Sequence, residues 1–206
     1  MVLATLAFAA LQASKLTMGS AWSGELHLRF VDAANEIDQE DVYQVGWRIT
    51  GHEGDWLIAD RSSKLLFTKL PSGTAPGPGK DMEPLHTEVM LSPQGWPAAE
   101  DPFDLAFLRL ERLMPLTFPP ADATLMPKDN KLLFSARLQS HRLTNGVYSF
   151  TLSEDDPGGI RAKGQVEISA SGRPLQVLVE ADNAPIPGST EKAHLSLSYR
   201  DSKLPK

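Results

Sequence analysis

The chain has 206 residues, of which 41% are hydrophobic and 22% charged, with 15 Gly, 16 Pro and no Cys. Its 20 basic and 26 acidic residues give a net charge of −6, which leaves no positive surplus to neutralise a phosphate backbone and argues against nucleic acid as a partner. Without cysteine there is no disulfide, thiolate nucleophile, Cys-ligated metal or acylated lipoprotein anchor, and no apolar run reaches the length of about 18 residues that a spanning helix needs.

Residues 1–13 (MVLATLAFAALQA) are uncharged. Val2–Leu11 has the length and Ala/Leu composition of a secretory h-region, and Ala7-Phe8-Ala9 and Gly19-Ser20-Ala21 are small-x-small cleavage patterns. No Lys or Arg precedes the run, so the competing reading is an apolar helix packed on the domain. The expected organisation is a signal peptide or apolar segment over 1–21 and one β-rich domain over 22–206, in a periplasmic or extracellular location.

After Gly24 the apolar period becomes two. Leu26, Leu28 and Phe30 alternate with Glu25, His27 and Arg29, which predicts a half-buried strand. Asp32–Asp41 reads as a polar loop. Tyr43, Val45, Trp47 and Ile49 form a second strand, and Gly51-His52-Glu53-Gly54 turns it into a partner at Asp55–Asp60. Lys64–Leu70 reads as another short strand. Pro71–Gly79 holds three Pro and three Gly in nine residues and opens a Pro/Gly-rich loop over 71–100, because Pro removes backbone donors and Gly adds entropy to the unfolded chain. Within it, Leu85–Leu91 is the one strand-like run.

Asp101 is a good N-cap, Pro102 occupies the favoured first helical position and Asp104 places negative charge in the first turn. Phe103, Phe107, Leu110 and Met114 then share a stripe, and Pro115 ends it, so a single amphipathic helix is predicted over Pro102–Met114. From Leu132 onward the pattern is a meander. Leu132–Arg142 and Val147–Ser153 flank Thr144-Asn145-Gly146, a strong hairpin signal. Glu154–Gly159 and Ser171–Pro174 make further turns, and Ala193, Leu195, Leu197 and Tyr199 close the pattern. The fold expected is mainly β: a curved antiparallel sheet, half-barrel or sandwich-like, of about nine or ten strands with one helix packed on it.

Catalytic and metal motifs are weak. The five histidines, His27, His52, His86, His141 and His194, have no metal-binding spacing. His52-Glu53 begins like HExxH, but Trp56 stands where the second His belongs. Gly73–Lys80 is one residue too long for a phosphate loop, and its prolines delete amides that would cradle phosphate. Glu154-Asp155-Asp156 lacks the alternation of a calcium loop and reads as a solvated turn. There is no G-x-S-x-G elbow, and no cofactor is expected. Trp47 reads as core and Trp56 as flanking a turn. Trp96, between Gly95 and Pro97, reads as structural cover for the core, with presentation to a partner as the alternative.

Gly164–Ser169, the Gly172-Arg173-Pro174 turn, Leu175–Glu180 and Leu195–Arg200 resemble the closing strands of periplasmic half-barrel proteins, such as lipoprotein carriers and related lipid-binding envelope proteins. The resemblance covers about a third of the chain and is one of pattern. It implies a curved antiparallel sheet around an apolar cavity closed by helices, although only one helix is legible here. No residue roles carry over.

The functional expectation is a non-enzymatic envelope or secreted protein that binds a lipid or other apolar ligand, or an envelope protein partner. Phe103, Phe107, Leu110, Met114 and Trp96 are its candidate ligand-binding residues. The alternatives are a structural or accessory subunit of a membrane-associated complex and, third, a hydrolase with an unrecognised site.

Overall fold

A computed structural model describes residues 16–32, 37–70, 73–76, 83–91, 97–98, 123–125, 136–144, 146–155, 157–186 and 191–203. The predicted helix, its site residues Phe103, Phe107, Leu110 and Met114, and Trp96 lie outside them, as do residues 1–15. Among the described residues there is no helix.

The described residues form twelve antiparallel strands in one sheet. They are β1 (Ala21–Val31), β2 (Ile37–Glu53), β3 (Trp56–Leu70), β4 (Gly73–Pro76), β5 (Leu85–Leu91), β6 (Pro97–Ala98), β7 (Ala123–Leu125), β8 (Ala136–Thr144), β9 (Val147–Glu154), β10 (Arg161–Ile168), β11 (Pro174–Pro185) and β12 (Lys192–Asp201). Nine of these have seven residues or more; β4, β6 and β7 are short. The order is β6-β5-β3-β2-β1-β12-β11-β10-β9-β8-β7, with β4 also on β3. The chain therefore starts at the centre, steps outward to β6, re-enters at the opposite edge and meanders back until β12 lies beside β1. The two end strands do not pair, so the sheet is not closed into a barrel.

Several predicted boundaries change. Residues 37–41, read as loop, belong to β2, where Asp41 lies opposite Leu28. Asp41 is buried because its carboxylate accepts hydrogen bonds from Gln39 Nε2 at 2.6 Å and from the Thr68 hydroxyl. The two short strands expected at 55–60 and 64–70 are one continuous β3. Part of the Pro/Gly loop pairs with the Phe67–Leu70 end of β3 as β4, a short strand off the main path and so a position that tolerates proline. The other hairpins follow the turn chemistry, with Gly146 and Gly172 at φ 80° and 89°, where a Cβ would be strained.

One face of the sheet is the inside of the molecule. Along β1 every second residue is buried, and Leu28 and Phe30 have no exposed surface; Val166, Val177 and Leu195 repeat this on β10, β11 and β12. The buried residues of β1, β2, β3, β5 and β9–β12 form one continuous apolar cluster. Complete burial of such a side chain contributes about 1.5–3 kcal/mol each, which makes the alternation, rather than any single contact, the force that sets register.

Two glycines shape this interior. A Cβ on Gly24 would collide with the Tyr199 ring and the Arg200 carbonyl; one on Gly164 would come within 2.7 Å of the Phe150 ring and 2.6 Å of the Leu178 carbonyl. In both places an aromatic ring on a neighbouring strand lies over bare backbone, a device that lets strands bend while the core stays filled.

Candidate functional site

At one end of the interior a group of aromatic and polar side chains meets. Trp22 of β1 lies opposite Trp47 of β2, and the rings stack at 5.9 Å between centroids with 19° between planes. Tyr199 meets Trp47 edge-on at 6.0 Å, across the space that Gly24 leaves open. Arg61 lies opposite Trp47 on β3 and is 1% exposed. Asp201 follows Tyr199 by two residues, so its carboxylate also points inward, at 2% exposure. Its Oδ1 accepts from the Lys203 amide at 2.8 Å, while Oδ2 lies 3.5 Å from Arg173 Nε.

Four polar atoms here are buried without a hydrogen-bond partner: Trp22 Nε1, Arg173 Nε, the Tyr199 hydroxyl and Asp201 Oδ2. Buried polar groups are paired in the great majority of cases, and leaving one unpaired costs about 1–3 kcal/mol. Burial, reinforced by the charge of Asp201 and partly offset by Arg173, pushes the Tyr199 phenol well above its ordinary pKa of 10.0. This end of the interior therefore presents hydrogen-bonding capacity on an apolar wall.

The opposite face is polar and carries open grooves of about 470, 430 and 550 Å³. Its most organised cluster lies on β11 and β12. His194 Nδ1 faces Asp182 Oδ1 at 2.8 Å and Nε2 faces Glu180 Oε2 at 2.9 Å, and the Ser196 hydroxyl donates to the same Glu180 oxygen at 2.8 Å. Only a protonated ring donates from both nitrogens. The His194 pKa is accordingly raised, chiefly by the bond to Asp182, with desolvation working against it and Glu180 adding to the rise. Ser196 gives its proton to Glu180 rather than to the imidazole, unlike a hydroxyl activated by a histidine base. Among the described residues no group of three or more His, Cys, Asp or Glu is arranged to hold a metal ion, and no helix is long and apolar enough to cross a membrane.

The sequence places Trp47 in the core and Trp56 beside a turn, and the structure agrees: Trp47 is 3% exposed and Trp56 is half-buried against the cluster. Glu154, read with Asp155 and Asp156 as a solvated turn, is instead buried, and its Oε2 accepts from the Ile160 amide at 2.7 Å. Sequence reading passed over Arg61, Tyr199 and Asp201 as site residues. Strand parity alone carries that signal for Asp201: it continues the inward series Ala193, Leu195, Leu197 and Tyr199. The His194 cluster needs the β11–β12 register, which no local pattern specifies.

No protein-family model, curated protein or solved structure matches the chain, and the likeness to half-barrel proteins gains no support from that side.

Proposed function

We propose that the chain is a non-enzymatic binding protein of the envelope or the secreted space, whose interior receives an amphiphile: an apolar tail with a polar end. One observation carries this reading. The buried face joins a continuous apolar surface to the unpartnered Trp22 Nε1 and Tyr199 hydroxyl, beside the loose Arg173–Asp201 ion pair. A core built only for stability gains nothing from a tyrosine hydroxyl and an indole N–H without acceptors, whereas a guest with a polar end satisfies them. The open sheet supports the same reading, since no ring of strand pairing has to break before a guest enters. The secretory composition of Val2–Leu11 supports the location.

The test is a titration of the folded full chain with a single-chain fatty acid and a lysophospholipid, each below its micellar concentration, followed by tryptophan emission. Saturable changes are expected, and Tyr199→Phe should weaken binding about fivefold, the equivalent of one neutral hydrogen bond. No saturable response with either probe contradicts the reading.

A further inference from the structure

The polar face holds a second arrangement that the amphiphile reading does not use. Arg161 and Lys163 are alternate residues of β10 and are exposed on this face. Their cross-strand neighbours on β9 are Ser153 and Thr151. Strand geometry puts the four at the corners of a rectangle about 5 Å across the strands and about 7 Å along them. All four line one open groove of about 430 Å³.

On the other side of β10 the partners are carboxylates: Asp182 lies opposite Arg161 and Glu180 opposite Lys163. Those carboxylates line the same groove, where His194 binds one oxygen of each and Ser196 donates to Glu180. Neither Arg161 nor Lys163 forms an ion pair among the described residues. The local result is two cations beside two hydroxyls, with the adjacent negative charge already engaged by a histidine whose pKa is raised. With His194 protonated between the two carboxylates, the groove carries three cations against two anions, a small positive excess in a chain of net charge −6.

We propose that Arg161, Lys163, Thr151 and Ser153 form a binding site for a tetrahedral oxyanion, a phosphoryl or sulfate group. The guanidinium offers a fork, the ammonium a point charge and the hydroxyls two further donors, enough for an anion with three or four acceptor oxygens. A carboxylate, with two oxygens, leaves half of the donors unused. The site lies on the opposite face of the sheet from the apolar interior, so it stands or falls independently of the amphiphile reading.

The experiment is a titration of the isotope-labelled full chain with inorganic phosphate, read by amide chemical shifts, with chloride at matched ionic strength as the control. Saturable shifts centred on 151, 153, 161 and 163 are expected with phosphate only. They should weaken at least about tenfold in the Arg161→Gln/Lys163→Gln variant, whose fold is checked by circular dichroism. Should that variant fail to fold, Lys163→Gln alone carries the comparison. No shifts, equal shifts with chloride, or unchanged shifts in the variant overturn the proposal. A second arm identifies the source of the anion. Variant-sensitive sedimentation with phosphatidylglycerol vesicles, absent with phosphatidylcholine, points to a lipid headgroup, and phosphate binding without sedimentation points to a soluble anion.

Discussion

Gly24 has no room for even one methyl group, since the Tyr199 ring and the Arg200 carbonyl occupy the place of its Cβ. Gly24→Ala is expected to destabilise the fold by about 1–3 kcal/mol, the usual cost of overpacking, read as a lower denaturant midpoint with unchanged slope. A midpoint within error of the parent would show that Tyr199 does not lie over this backbone. Tyr199 itself carries a second expectation. Its phenol pKa is raised, so the stability linked to its protonation is complete below pH 10 and is lost as the pH climbs through the folded value. The near-ultraviolet difference between parent and Tyr199→Phe should show no phenolate step while the protein is folded at pH 10 to 11, and a step at pH 10 would place that side chain in water. At this scale the sequence is half legible. The inward parity of Tyr199 can be read from the alternation in β12, but the bareness of Gly24 is explained only by the strand that pairs with it.

Hairpins are the elements that the sequence announces best. Thr144 pairs with Val147 across one hairpin and the chain turns again over Ser171–Pro174, with Gly146 and Gly172 at positive φ. The misread segments share one cause: their status depends on distant partners. Residues 37–41 look like loop until β1 pairs with them, and the 55–70 stretch looks like two strands because Arg61, an unusual interior residue, interrupts its apolar pattern. The β11–β12 pair has its own pH signature. The folded pKa of His194 is raised, so its contribution is complete below pH 6.5 and disappears as the pH rises through the folded value. The groups around it are Asp182 and Glu180, which accept hydrogen bonds from the protonated ring, Ser196 beside them, and Arg161 and Lys163 on β10 beyond the carboxylates. The side chain is 44% exposed, so solvent screening limits the effect to under about 1 kcal/mol. Chemical denaturation at pH 5.5 and pH 8.5 should show a small loss of stability in the parent at the higher pH. His194→Gln should lose that part of the dependence; an identical pH profile in the variant would remove His194 from this role.

At the scale of the whole molecule, the mainly β, antiparallel character was legible because period-two alternation sets one face against the other over most of the chain. The strand order was not. The pairing of β1 with β12 joins residues at opposite ends of the sequence, and only the shared apolar face connects their patterns. The same holds for the site. Its polar atoms come from β1, β12 and the turn before β11, and each looks ordinary in its local sequence. Phe103, Phe107, Leu110, Met114 and Trp96, where the sequence concentrates its most apolar surface, lie outside the described residues.

Whether the interior holds an amphiphile is decided by native mass spectrometry of the protein isolated from its own cells without overexpression. A population carrying the added mass of one amphiphilic molecule is expected, released on gentle activation, with the bare chain appearing in its place. A bare monomer throughout would show that the interior holds no amphiphile, and a larger assembly of fixed stoichiometry would make the protein an accessory subunit instead.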